Sequence, residues 1–488
     1  MANQKVEKPP SSLQRQTGVR MVLSYTGIPP SWLDKRPKLP SRNWLIFLSV
    51  TSSVLGLYIY DRRECKRIKQ TYIDKVKHLS EVSLDPFESP RKVTVYGAKW
   101  PGDEEYDQGI KYFRKYVKPI LVAAAIDYEM IPGKRYGDIA NRVAEDIRRR
   151  RRLDQGLDQD SDARRVLPTY MPVPEREKRE LDGGVVIIGR PTFKEYMAGL
   201  CKGWTEGLQK VDPDEELSRE LENDNHFDEI EESDNFGDES TPAEASQSKP
   251  LPISSQAAFP VFSAVHTRRT FKSSATQPES GSSSSTPLTV IPAQPPLLLV
   301  PFTNYIGITQ IPLMIWGFFN QRHKVRSGAE AGYRLVKNET RPIEVPEFED
   351  CVVPATGSAE KTLSANHGDL DFDKQAEGYY KKSLNTFAED TDNIRQKYYD
   401  TLPKKLATAR ELARGTREHT KDEYDNPPPT EVELRAERLK KERRWRDDVA
   451  GWEIIKPTSN VQWDERLKGA LRIFVEPHDP NNEDTESP

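Results

Sequence analysis

Charge disappears from the chain between Trp44 and Tyr60, where the run WLIFLSVTSSVLGLYIY holds seventeen residues without a charged side chain. At 1.5 Å rise per residue this is roughly 25 Å of helix, near the short end of a membrane span. Arg42 precedes the run and Asp61-Arg62-Arg63 end it. Trp44, Tyr58 and Tyr60 mark its ends with rings that prefer the bilayer interface. A buried core helix would keep a polar face, and a cleaved signal peptide would start near residue 1 and finish at small residues. The pattern therefore predicts one membrane-spanning helix over 44–60. Its anchoring positions are Trp44, Leu45, Ile46, Phe47, Leu48, Val50, Val54, Leu55, Leu57, Tyr58, Ile59 and Tyr60. Ser49/Ser53 and Ser52/Gly56 form two small-x-x-x-small pairs that would let another helix approach closely.

Residues 61–89 continue as a basic juxtamembrane helix, with Ile68, Tyr72, Val76 and Leu79 on one face. From 90 to 210 the pattern is α/β. Lys92–Tyr96 reads as a strand. A helix follows with Ile110, Phe113, Tyr116 and Val117 inward, interrupted at Pro119. Ile126, Tyr128 and Met130 alternate with acids, as on a half-buried strand. Asp138 is placed to cap a helix bearing Ile139, Val143 and Ile147. That helix runs into Arg148–Arg152, either a solvated end suited to the helix dipole or a contact for anionic lipid or an acidic partner. Val185–Ile188 is an uninterrupted apolar run, as in a buried parallel strand. Gly189 ends it before a helix carrying Phe193, Tyr196, Met197 and Leu200. Such alternation favours a mostly parallel sheet with helices on both faces.

Residues 212–239 hold fourteen acids against one base. With the Ser- and Pro-rich stretch after them, they predict a disordered insertion over 211–295. The α/β pattern resumes at 296–345 with a strand, Leu297–Val300, a loop, and a helix through Met314, Trp316 and Phe319. Pro301, Asn304, Gln310 and Pro312 argue against a second lipid-exposed span there. Beyond Val336 the sheet pattern fades. A linker is expected over 346–372 and a charged helical region over 373–455. In the latter, Thr430 and Glu433 form a capping box opening a helix to about Gly451. Its apolar face (Val432, Leu439, Trp445) is too thin to stand alone, so it should pack on the sheet or on a partner. The last segment, 456–488, offers a strand at Arg472–Val475 and a disordered acidic end. The expected fold class is a single-pass membrane protein with an α/β soluble domain, a long disordered insertion and a helical C-terminal region.

Composition agrees with that division. Hydrophobic residues make up 35% of the 488, charged residues 31%, and there are 38 prolines, so long segments lack the apolar surface to offset ordering entropy. With 73 basic and 77 acidic residues the net charge is −4. No basic excess marks a nucleic-acid partner. Cys65, Cys201 and Cys351 are few and far apart, and the seven histidines are scattered, so neither a disulfide framework nor a metal site is expected. The leader, 1–43, carries Glu7, Pro9 and Pro10 and makes a poor amphipathic presequence. Counting bases on the two flanks of the span favours the trailing side inward, but a flank of over 400 residues crosses regardless of charge, so the count leaves orientation open.

Motifs for chemistry are absent: no phosphate loop, dinucleotide fingerprint, zinc-protease or nucleophile-elbow pattern occurs. No catalytic, cofactor-binding or metal residue is assigned. One constellation is similar to the nucleotide loop of the diacylglycerol and acylglycerol lipid kinases. It comprises Gly183-Gly184-Val-Val-Ile-Ile-Gly189-Arg190-Pro191, then Glu195 and Gly199-Leu200, with Pro301-Phe302-Thr303-Asn304 further on. Arg190 and Pro191 stand where that family has glycine, and its aspartate is missing, so the resemblance implies a lipid-kinase-like fold over roughly 90–330 that has lost phosphoryl transfer.

Longer stretches resemble another family. They are GIPPSWLDKRPKLPSRNW (27–44), PRKVTVY (90–96), YFRKYVKPILVAAAIDYE (112–129), GDIANRVAEDIRRRRR (137–152) and GWEIIKPTSNVQWDERLKGALRIFVEP (451–477). Together they are similar to the large membrane-anchored subunit of the fungal mitochondrial carrier translocase, the twin-pore machine of the inner membrane. The resemblance implies a single-pass inner-membrane protein, N-terminus in the matrix and bulk in the intermembrane space. It also implies a non-enzymatic scaffold role, with the channel subunit, small intermembrane-space chaperone complexes, carrier precursor clients and inner-membrane lipid as partners. A membrane-bound lipid kinase and an assembly factor for other inner-membrane complexes are the alternatives.

Overall fold

The computed structural model describes residues 41–83, 90–158, 172–210, 212–228, 290–345, 368–420, 423–424 and 426–477. In chain order the helices are α1 (Arg42–Lys77), α2 (Gln108–Tyr112), α3 (Lys118–Ala123), α4 (Asp138–Asp154), α5 (Val173–Gly183), α6 (Gly189–Thr205), α7 (Pro213–Glu222), α8 (Ile311–Phe319), α9 (Arg322–Lys337), α10 (Phe387–Ala413) and α11 (Glu431–Ile455). The strands are β1 (Lys92–Gly97), β2 (Asp127–Pro132), β3 (Val185–Ile188), β4 (Leu297–Val300), β5 (Thr340–Pro342) and β6 (Arg472–Phe474). Two units divide the chain, Met1–Thr71 with Pro312–Arg326, and Tyr72–Ile311 with Ser327–Pro488.

The described residues of the first unit are mostly helical. The helix expected over 44–60 and the juxtamembrane helix expected after it are one element, α1, of 36 residues. Nothing between Tyr60 and Asp61 breaks the backbone ladder, because a change from apolar to charged side chains alters the solvent a helix prefers and not its hydrogen bonds. Among the described residues α1 is the one helix long and apolar enough to cross a membrane.

The second unit is built on a six-stranded sheet in the order β2-β1-β3-β4-β6-β5, parallel except where β5 runs against β6. Val95 is in register with Met130 on one side and Val186 on the other. Ile187 faces Leu299 across the next pair. Central β3 is buried on both faces, as its unbroken apolar run requires, whereas edge strand β2 alternates. The sheet does not end at Val336. The strand expected at Arg472–Val475 is present as β6, and β5, three residues long and too short to leave a periodic signal, pairs with it.

Helices α4 and α6 pack on the sheet through Ile139, Val143, Ile147, Phe193, Met197 and Leu200. Their close approach depends on α6 glycines: a Cβ at Gly199 would lie 2.7 Å from the Ala140 carbonyl oxygen, and one at Gly203 would lie 2.8 Å from the Ile147 Cβ. Before α3, the chain takes a π-helical turn, Phe113–Val117, ahead of Pro119, which lets the ladder skip the missing N–H.

Three expectations need correction. Asp138 does not cap α4. The N-cap is Gly137 at φ +81°, and the Asp138 carboxylate instead accepts from the N–H groups of Lys134 and Arg135, tying the preceding loop. The arginines 148–152 are not a free solvated end: Arg151 is buried and donates to the Gly203 and Glu206 carbonyls, Arg148 pairs with Glu206, Arg150 with Glu180, and Arg152 with Asp158. Finally, the acidic tract expected to be disordered from 211 begins as helix α7, with Asp212 as its N-cap. Residues 229–289, the rest of that tract, lie outside the described residues. Helix α7 is held by α11: Asp214 to Arg443 at 2.5 Å, Glu220 to Arg446 at 2.6 Å, and Asp224 to the buried Arg438.

Candidate functional site

Open α/β sheets bind ligands outside the carboxyl ends of their strands, where the strand order switches direction. Here that point lies between β1 and β3, beside the loop after β4 where the lipid-kinase-like residues fall. Gly189, at φ +76°, turns β3 directly into α6, leaving no phosphate-wrapping loop. Arg190 opens the helix and is buried. Its Nε donates to Glu377 at 2.8 Å and its Nη1 to the Phe372 carbonyl at 3.0 Å. One turn on, Lys194 is 1% exposed and meets the same Glu377 oxygen at 2.6 Å. Its Nζ also donates to the Lys456 carbonyl at 2.9 Å. Burial pushes the Lys194 ammonium below its ordinary value, and Glu377 opposes that shift.

Three backbone N–H groups at this edge are already taken by side chains. Ala98 N–H, after β1, donates to Thr192 Oγ1 at 2.9 Å. Ile139 N–H, at the start of α4, donates to Glu195 Oε2 at 3.0 Å. Phe302 N–H, after β4, donates to Asp373 Oδ2 at 3.2 Å. Burial raises the Glu195 carboxyl to about 8 despite its backbone donors, and raises Asp373 to about 6. A helix N-terminus is a ready anion site, and at α4 the chain's own carboxyl occupies it. Apolar groups close the rest: Trp100 is buried edge-on against Phe302 at 5.5 Å and Tyr380 at 5.2 Å, and Asn304 donates to Asp103 at 2.7 Å. Chemically the edge is a plug of paired side chains and stacked rings, within which Glu195 Oε1, Trp100 Nε1 and the Tyr380 hydroxyl are buried without a hydrogen-bond partner among the described residues.

Of the residues singled out from the sequence, Arg190, Glu195 and Phe302 come together here, while Pro191 and Gly199 serve helix start and packing. Glu377, Asp373 and Trp100 carried no sequence signal, since their roles depend on a segment over seventy residues beyond β4. The membrane-anchor residues lie along α1. Trp44, Leu45, Ile46, Phe47, Leu48, Val50, Val54, Leu55, Leu57, Ile59 and Tyr60 are exposed. Ser49 and Ser53 bond back to the carbonyls of Ile46 and Ser49, and a side chain at Gly56 would meet open space. Asp61, read from the sequence as a stop signal, is buried and accepts from the N–H groups of Gln321 and Arg322.

Comparison with known proteins places this architecture. Residues 22–450 match the family described as inner membrane protein import complex subunit Tim54. The chain belongs to that family. It is 34% identical over 468 residues to the mitochondrial import inner membrane translocase subunit TIM54 of Cryptococcus neoformans, covering 95% of each chain. With the Candida albicans protein of the same name it shares 30% identity over 356 residues, 66% of this chain and 84% of the relative. With the Aspergillus oryzae one it shares 42% over 193 residues, 36% and 40% respectively. Tim54 membership makes the chain a subunit of an inner-membrane protein import complex.

Proposed function

We propose that this chain is a non-enzymatic subunit of the translocase that inserts multi-spanning carrier proteins into the mitochondrial inner membrane, acting as a tethered docking platform. In this reading α1 crosses the bilayer once, 1–43 faces the matrix and 61–488 occupies the intermembrane space. The soluble fold is lipid-kinase-like with its phosphate site closed. The observation that carries the non-enzymatic reading is the carboxyl edge of the sheet, where Thr192, Glu195 and Asp373 occupy the N–H groups that a nucleotide phosphate would need. A body without a reaction contributes by proximity: tethering raises the effective concentration of chaperone and client beside the channel without requiring tight binding to either. The small-residue pairs Ser49/Ser53 and Ser52/Gly56 are the positions on α1 where a channel helix would approach.

The test is isolation of the tagged full chain from digitonin-solubilised mitochondria. The channel subunit and the small intermembrane-space chaperones are expected with it. Recovery of other inner-membrane complexes without a channel protein would favour an assembly factor, and tight Mg-ATP binding by the same preparation would restore the kinase reading. Orientation is checked by protease: residues 61–488 should be protected in intact mitochondria and cleaved once the outer membrane is opened.

A further inference from the structure

Helix α8 reads IPLMIWGFF and carries no charged side chain. None of its residues is buried, and Trp316 is 69% exposed. A helix apolar all round is stable inside a protein or in lipid, and not in water. At 1.5 Å per residue α8 is about 14 Å long, half of a bilayer core, so it is no second span.

What lies beside its C-terminal end identifies the occupant. Phe318 stacks on Tyr58 with centroids 5.5 Å apart, and the Arg62 guanidinium sits over both rings. Asp61 accepts from the Gln321 and Arg322 N–H groups at 3.1 and 3.2 Å. These residues belong to one unit and pin the end of α8 to the turn of α1 where the charge-free stretch stops. Bases follow on both elements: Arg63, Lys66 and Arg67 after the α1 stretch, Arg322, Lys324 and Arg326 after α8.

We propose that α8 is an interfacial membrane helix, lying in the headgroup–acyl boundary of the leaflet at which α1 leaves the bilayer, with the neighbouring bases against anionic headgroups. An apolar surface continuous with a span and rimmed by cations has the chemistry of a monotopic lipid contact. The inference rests on α1 being a span, and the test separates the two. The full chain, with Cys65, Cys201 and Cys351 replaced by serine, receives one cysteine at Trp316, at Val50 or at the exposed Val432. Each is labelled with an environment-sensitive dye and reconstituted into phosphatidylcholine vesicles containing cardiolipin. Nitroxides placed shallow or deep on the lipid acyl chains then report depth. The label at 316 should be quenched several-fold more by the shallow nitroxide than by the deep one, the label at 50 more by the deep one, and the label at 432 by neither. A label at 316 quenched no more than that at 432, with 50 still quenched, overturns the interfacial helix alone. Loss of quenching at both 50 and 316 overturns the span and, with it, this proposal.

Discussion

Glu377 sits between two buried cations, and its removal would leave Arg190 and Lys194 with backbone carbonyls only. Breaking a buried ion cluster from one side typically costs about 3–5 kcal/mol. Glu377→Gln should therefore lower the unfolding free energy of the detergent-solubilised chain, read from urea denaturation, by an amount of that order, without altering the sheet's circular dichroism below the transition. Glu195 gives a prediction in pH. Its folded-state value of about 8 lies above the ordinary 4.5, so between those two values the folded protein holds a proton that the unfolded chain has released. Its contribution to stability thus falls as pH rises through that window and is lost in full above it. Denaturation midpoints from about pH 5 to about pH 9 should decline less steeply in Glu195→Gln than in the parent chain, because the amide keeps the hydrogen bond to Ile139 without a charge to desolvate. An unchanged slope would mean the carboxyl is ionised in the native state.

At the level of elements, the basic α11 and the acidic α7 complete one another. The capping box was legible in the sequence and is present, Thr430 accepting from Glu433 N–H and Glu433 accepting from Thr430 N–H. What the helix packs on was not legible, because its partners, Asp214, Glu220 and Asp224, are more than two hundred residues away. The outer pairs of Arg443 and Arg446 are exposed and each should matter little, by about 0–1 kcal/mol. The inner one is different. Arg438 is buried, bonded also to the Leu221 carbonyl and the Tyr399 hydroxyl. Hydrogen exchange should report this directly: Arg438→Leu is expected to open α7 amides across the whole helix, whereas Arg443→Ala should change them marginally. Equal effects would mean that charge neutralisation alone orders the acidic segment. Gly451 contributes the other constraint on α11, since a Cβ there would lie 2.1 Å from the Tyr136 carbonyl oxygen.

On the scale of the molecule, the last described strand closes the sheet. β6 lies between β4 and β5, with Ile473 in register with both Leu297 and Arg341. A chain stopped after Leu471 should lose the cooperative unfolding of the second unit, while one stopped after Pro477 should keep it; thermal denaturation of the two truncations distinguishes them. The division between local and tertiary information follows from this arrangement. Apolar run lengths, their periods and their caps were sufficient to place α1, β1–β4, α6 and α11, because these are properties of a segment and its solvent. Three things required the assembled fold: β5, too short for a period to show, with the place of β6 between it and β4; the order in α7, supplied by distant arginines; and the closed carboxyl edge, where Glu377 and Asp373 arrive from the start of a charged stretch that the sequence marked only as helical. Hydrophobic periodicity reports which face a segment turns away from water, but pairing of charges and satisfaction of buried donors depend on which segments meet, and only the tertiary structure decides that.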